Sequence, residues 1–498
     1  MKTSRFILMI VFAMMLISPT GSVVSHDFTT NVQPQLLQLA AANPEQPVAI
    51  IVQKQGQTDL AEAQVAKLGG RVTQALSIIN AFAAEMSAGA AVELSHMETV
   101  RWVSLDSKVV SSVCVQCVDT KNLASTYIST IRADKAWNQS PYLQGNNVGI
   151  AILDSGINPN GDLYTIMGVN RQVANVYFNT DYNQNTSDGY GHGTHVSSVA
   201  AGDGSESNGK YIGVAPMANI INVKVSNDNG SSRTSDVVLG LQWVLENKDK
   251  YNIRVVNVSF NSSVAESYRT NPLDAAVEIL WFNKIVVVAS AGNKANGVLY
   301  PPANDPFVIT VGATDDKGTN SLNDDVITSF SAYGTTEDGY KKPDLVAPGK
   351  NIVARLVNTN MGLAKDHPEN VISGTYFKMS GTSVSAPMVS GAVAILLQAE
   401  PNLTPDQVKY RLMSTANKTW NGYKSTNAGA GYLDVFAAVS AKTTESANTS
   451  IPVSQLLSTG SEPITWGSVG WNSVGWNSVG WNSVGWNSVG WNSDYWGP

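Results

Sequence analysis

The sequence predicts an α/β chain built on a doubly wound, mostly parallel sheet with helices on both faces, preceded by a small α+β unit. Three observations carry this. Between about Asp134 and Lys442, apolar runs at Val148 to Leu153, Ile220 to Val225, Val255 to Phe260, Ile285 to Ala289 and Phe307 to Val311 are separated by helical stretches, the alternation of a βαβ array. Runs such as Ile285-Val286-Val287-Val288 contain no polar residues, so each strand buries both faces, as in a parallel sheet covered on both sides. The chain has 498 residues, 43% hydrophobic and 14% charged, enough for a large core and two or three regions.

From the start of the chain, Lys2 and Arg5 precede an apolar run from Phe6 to about Ile17, then small and polar residues through Ser25. This is the layout of a secretory signal peptide over 1–25; the run is short for a membrane span, and a retained anchor is the alternative. An exported, extracellular protein is expected. Within 26–110, Val48 to Val52 reads as a strand and Asp59 to Leu68 as a helix stopped by Gly69-Gly70. Val72 to Phe82 holds one or two strands, Ala90 to Met97 a helix and Val100 to Leu105 a last strand. The order is β-α-β-β-α-β. A connector with a cleavage region, 111–133, carries the chain's two cysteines, Cys114 and Cys117. No further Cys or His pair lies near enough to complete a zinc site. A local disulfide and a pair without chemistry both stay open.

Within 134–442 one helix is well marked: Thr234 or Ser235 as N-cap, then Val237, Val238, Leu241, Val244 and Leu245 at helical spacing. After Lys442 a Ser/Thr-rich stretch, 443–465, reads as a linker. In the tail, 466–498, Trp466, Trp471, Trp476, Trp481, Trp486, Trp491 and Trp496 recur every five residues, mostly as Trp-Asn-Ser-Val-Gly. Period five fits neither strand nor helix. A low-complexity tail without fixed structure, a short solenoid-like coil, and an adhesive strip for glycans or a cell surface all stay open. The net charge of −7 without a basic stripe excludes nucleic acid as a partner.

Three glycine-tight segments carry the chemistry. Asp154 follows Ile152-Leu153 and precedes Ser155-Gly156; His192 lies in Gly191-His192-Gly193-Thr194-His195; Ser383 lies in Gly381-Thr382-Ser383-Val384-Ser385, ahead of a long apolar helix. A serine hydroxyl is a poor nucleophile until a base takes its proton, and the base must be oriented by a third group. Near pH 7 an imidazole can accept that proton, and a helix N-terminus behind the serine suits an anionic intermediate. The H-E-x-x-H spacing of a zinc helix is absent, as is the G-x-S-x-G of an α/β-hydrolase. The covered sheet places Asp154 at a strand's carboxyl end, where such folds gather their sites.

The order Asp, His, Ser and these flanks closely resemble the subtilisin-like serine proteases (subtilases). The resemblance covers about Asp134 to Val439, including Gly429-Ala430-Gly431-Tyr432-Leu433-Asp434, with Val384 where the family usually has Met. It implies a triad of Asp154, His192 and Ser383, with His195 packed nearby, and Asn293 of Ser290-Ala291-Gly292-Asn293 as oxyanion donor. It implies that an extended polypeptide substrate binds between Gly230-Ser231-Ser232 and Ser259-Phe260-Asn261, beside Ala291 and Gly292. Asn261 stands where many relatives have Gly, at the wall of the pocket for the residue before the scissile bond. The unit at 26–110 resembles, by position, the family's ferredoxin-like inhibitory propeptide, an intramolecular chaperone of an autoprocessed zymogen. The chemistry requires no cofactor. The family's structural calcium is assigned to no residue, since Asp203 to Lys210 lacks a ligand pattern. An idle scaffold that binds surfaces through its tail is the rival reading, and an exopeptidase would change only the cleft.

Overall fold

The apolar runs become strands because β-branched residues fill both faces of a covered sheet. The computed structural model describes residues 31–107, 117–165, 168–179, 185–295, 297–457 and 488–490, and the chain divides into two compact units, 1–113 and 114–498. The expected signal segment lies outside the described residues, as does most of the Trp-containing tail.

In the first unit, β1 (Pro47–Lys54), β2 (Arg71–Leu76), β3 (Ala81–Ser87) and β4 (Val100–Leu105) form a sheet in the order β2-β3-β1-β4, with every pair antiparallel. Helices at Leu60–Lys67 and Ala88–Leu94 complete a β-α-β-β-α-β order. Ser87 Oγ accepts the Ala90 N–H and caps the second of these. Ile50, Val52, Val65, Phe82, Leu94 and Val103 form the buried interior.

The strands of the second unit are β5 (Gly149–Asp154), β6 (Gln172–Tyr177), β7 (Asn219–Lys224), β8 (Ser231–Arg233), β9 (Ile253–Val258), β10 (Asn261–Ser262), β11 (Val286–Ser290) and β12 (Ile309–Asp315). There follow β13 (Val326–Ile327), β14 (Gly334–Thr335), β15 (Lys341–Lys342), β16 (Leu345–Pro348), β17 (Ile352–Arg355), β18 (Val371–Ile372), β19 (Tyr376–Met379) and β20 (Ser488–Gly490). Eight of them form the central sheet, ordered β13-β12-β11-β9-β5-β7-β6 with β16 also on β12. Its pairs are parallel except β12 with β13. All five apolar runs are strands of this sheet. The edge strand β6 was not legible because its buried positions hold Gln172 and Ala174 while Val173 is exposed, so the residue types show neither an apolar run nor an apolar-polar alternation. From β5 the chain first forms the edge strand β6, returns through β7 beside β5, and then builds outward on the other side through β9, β11 and β12, so the array changes direction beside β5.

The helix Thr382–Ala399 is buried from Thr382 through Leu397. It packs on β9, β11, β12 and β16. Its length and apolarity would suffice to cross a membrane, alone in this among the described residues; here the covered sheet supplies the apolar surroundings instead. The helix expected after Thr234 or Ser235 spans Thr234–Asn247. Its N-cap is Arg233, without a side-chain cap, because β8 runs straight into it. Residues of the Ser/Thr-rich stretch lie against this unit: Val453 and Leu457 are buried, and the Ser454 N–H donates to Glu278 Oε2 at 2.8 Å. Cys117 is disulfide-bonded, which decides between the two readings of the cysteines; Cys114 lies outside the described residues.

Candidate active site

Asp154 is the last residue of β5 and fully buried. A carboxylate out of water needs donors on its oxygens. The Ser155 N–H donates to Oδ1 at 2.7 Å. His192 Nδ1 lies 2.9 Å from Oδ1 and 3.0 Å from Oδ2. Burial pushes the Asp154 carboxyl above its usual range, while His192 and the Ser155 N–H pull it back. Since a carboxylate only accepts, the Nδ1–H of His192 is the donor, and Nε2 keeps the lone pair a base requires.

His192 opens the helix His192–Ala201, with Gly191 at its N-cap in a left-handed conformation, φ 108°. Gly193 lets that helix approach β5: a Cβ there would lie 2.2 Å from the Gly156 carbonyl oxygen and 2.9 Å from Asp154 Oδ1. A second buried carboxylate, Asp188, holds the turn. Its Oδ1 accepts from the Ser155 hydroxyl at 2.8 Å and the Gly191 N–H at 2.7 Å. Its Oδ2 accepts from the Thr194 N–H at 2.8 Å and the Thr194 hydroxyl at 2.6 Å. The Ser155 hydroxyl in turn accepts the Gly193 N–H at 3.0 Å. One network thus fixes the acid and the imidazole together. The His195 ring faces away from Asp154, its Nε2 3.0 Å from the Phe377 carbonyl and 3.2 Å from that of Ile352.

Ser383 lies in the first turn of the helix Thr382–Ala399, where backbone N–H groups lack intrahelical partners and the helix dipole is positive. Four residues on, Pro387 has no N–H to return to the Ser383 carbonyl. The Ser259 hydroxyl fills the gap, donating to that carbonyl at 2.8 Å. Ser259 is braced by Asn257 Nδ2 at 2.8 Å, and Asn257 Oδ1 accepts the Ser390 hydroxyl at 2.9 Å. Ser259, expected to touch substrate, therefore also supports the backbone of the proposed nucleophile.

Asn293 follows β11. Its Oδ1 accepts from the Thr382 N–H at 2.9 Å and the Thr382 hydroxyl at 3.0 Å, while that hydroxyl accepts the Gly292 N–H at 3.0 Å. These bonds fix which end of the amide is the donor. Asn293 Nδ2 is buried with no hydrogen-bond partner among the described residues, as an N–H reserved for an anion would be.

The groove residues behave differently. Gly230 turns the chain at φ 74° into β8, and its N–H donates to the Asn227 carbonyl at 3.1 Å. Ser231 and Ser232 belong to β8, and Asn261 to β10. Phe260 is 1% exposed, a core side chain. Asn261 Nδ2 donates to the Ser290 carbonyl at 2.9 Å, which folds its amide across the pocket edge beside Ala291, Gly292 and Asn293. Among the described residues no group of three or more His, Cys, Asp or Glu side chains could hold a metal ion. Sequence reading missed Asp188, Thr382, Asn257 and Ser390. Pro387 was the one legible signal, since it leaves the Ser383 carbonyl in want of a donor.

The sequence model of the Peptidase_S8 subtilase family matches residues 145–432. The chain is 35% identical over 367 residues to serine protease AprX of Bacillus subtilis, covering 72% of this chain and 78% of that protein. It is 32% identical to subtilisin DY of Bacillus licheniformis, over 62% of this chain and 97% of the relative. With subtilisin E of Bacillus subtilis the identity is 30%, over 75% and 84% of the two chains. A family match across more than half its length, on the doubly wound sheet that carries these residues, makes this chain a member of the subtilase family of serine proteases.

Proposed function

We propose that the chain is a secreted endopeptidase that works through Ser383, His192 and Asp154 and is made as an autoprocessed zymogen. Ser383 Oγ attacks the peptide carbonyl as His192 Nε2 takes its proton. Asp154 holds the imidazolium, and Asn293 Nδ2 with the Ser383 N–H receives the developing oxyanion. His192 then returns the proton to the leaving amine, and water, deprotonated by the same imidazole, releases the acyl group. The observation that carries this reading is the pair of opposed constraints: His192 Nδ1 turned to Asp154, and the Asn293 amide turned by Thr382 so that its N–H has no hydrogen-bond partner among the described residues. Residues 26–110 are read as the inhibitory propeptide, and export follows from the charged and apolar layout of 1–25.

The test is expression of the wild type beside Ser383→Ala, with intact masses, N-termini and turnover of a small peptide. The wild type is expected to lose the region up to roughly residues 105–130, while the variant keeps it and loses about 10⁴-fold or more in turnover. A Ser383→Ala protein that still hydrolyses peptide at wild-type rate overturns the assignment. Full-length wild type beside full-length variant overturns self-processing.

A further inference from the structure

We propose that the Trp-Asn-Ser-Val-Gly tail is a built-in occupant of the substrate groove, seating a Ser-Val-Gly tripeptide as the middle strand between β8 and β10. This rests on reading the groove as the peptide site. β8 and β10 do not pair with each other; the sheet order is β10-β20-β8, so the two edges stand one strand apart. Antiparallel to both, β20 sets Ser488 opposite Arg233, Val489 opposite Ser232 and Ser262, and Gly490 opposite Ser231 and Asn261. Two short strands with facing edges offer backbone donors and acceptors on both sides, the arrangement that captures an extended peptide. Three of the partners of β20, Ser231, Ser232 and Asn261, are residues that the family resemblance assigns to substrate.

Direction adds a second argument. From Val489 to Gly490 the partner steps from Ser262 back to Asn261, which is towards Ser259, whose hydroxyl bonds the Ser383 carbonyl. β20 thus runs in the sense that leads towards the proposed nucleophile. The repeat also gains a meaning that neither strand nor helix periodicity gave it. Ser-Val-Gly stands at 468–470, 473–475, 478–480, 483–485 and 488–490, so a slip of five residues returns an identical tripeptide to the same register. A tethered occupant competes with substrate at an effective concentration set by the tether, so even a weak strand raises the apparent KM.

The test uses the full chain beside two variants. In one, Val469, Val474, Val479, Val484 and Val489 all become Pro, which removes a ladder N–H from every copy at constant length. The other ends at Gly460 and retains the packed Val453 and Leu457. With active sites titrated, both variants are expected to show an apparent KM for a short fluorogenic peptide about 3–30-fold below that of the full chain, with kcat unchanged. A synthetic peptide of two repeats is expected to inhibit the truncated enzyme competitively. Equal KM values, or non-competitive inhibition, overturn the proposal. Amide exchange in Ser383→Ala protein gives a readout independent of turnover. Residues 231–233 and 261–262 are expected to exchange about tenfold more slowly with the native tail than with the proline tail, and equal exchange overturns the proposal. If instead Ser383→Ala hydrolyses peptide like the wild type, the peptidase assignment fails and the exchange result still judges the tail.

Discussion

Asp154, His192, Asn293 and Ser383 lie at or just beyond the ends of long or central elements, each held by hydrogen bonds to neighbouring groups, whereas the neighbouring groove is edged by a three-residue strand and a two-residue strand. In the first region side chains are held by side chains: Asp188 accepts four bonds around the His192 turn, and Thr382 fixes the Asn293 amide. In the second, the working parts are backbone edges completed by a segment more than two hundred residues away in sequence. Chemistry needs atoms held within a few tenths of an ångström; binding an extended chain needs only an open edge of the right spacing. A perturbation of the first should therefore act on kcat, and one of the second on KM.

The largest break in that contrast is expected from Asn293→Ala. It removes the proposed oxyanion donor while leaving the groove edges in place, so kcat should fall by about 10²–10³ with KM within about threefold; this magnitude is the one measured for the equivalent loss in a subtilisin, not a derivation from the geometry here. Initial-rate kinetics on a short peptide decide it. A change confined to KM would place Asn293 in binding rather than in transition-state stabilisation.

A smaller effect of the opposite kind is expected from Asn261→Gly. Its amide spans to the Ser290 carbonyl at 2.9 Å and closes one side of the pocket beside Asn293. Opening that wall should lower KM for peptides with a large residue before the scissile bond by about 3–10-fold, and change small-residue peptides little. A panel of peptides differing only there reads the result. Uniform loss of kcat across the panel would show that Asn261 supports the centre instead of shaping the groove.

The two regions also differed in how far the sequence disclosed them. The proposed site residues stand in glycine-containing motifs, Asp154 before Gly156, His192 between Gly191 and Gly193, Asn293 after Gly292 and Ser383 after Gly381; Gly193, for one, has the Gly156 carbonyl where a Cβ would be. The five central strands were legible because burial on both faces leaves an unbroken apolar run. Asp188 was not, since a buried carboxylate accepting four bonds looks in sequence like any turn aspartate. The β8-β20-β10 pairing was not either, because strand addition is written in backbone geometry and leaves no side-chain pattern. Even the helix Thr234–Asn247 defied its expected cap, as the strand that precedes it supplies the N-terminal geometry.

Charge compensation sharpens the comparison once more, at the level of stability. Asp154 is buried beside an imidazole and an N–H that draw its carboxyl back down. Asp325, 1% exposed, has no cation among the groups that act on it: burial drives its carboxyl up to about 7, the Tyr432 hydroxyl lowers it, and Asp316, Asp324 and Asp315 raise it further. The folded value exceeds the ordinary 3.8 of the unfolded chain, so the protonated form is the one the fold favours. That contribution is fully present below about pH 4 and is lost progressively as pH rises towards 7, after which it stays lost. Asp325→Asn replaces the acid with a neutral group of the same shape and removes this slope. In the Ser383→Ala background, which avoids self-digestion, Tm at pH 8 is expected to rise by roughly 3–8 °C relative to Asp325, with a change under about 2 °C at pH 4.5. An equal shift at both pH values would mean that packing, not the buried charge, governs this site.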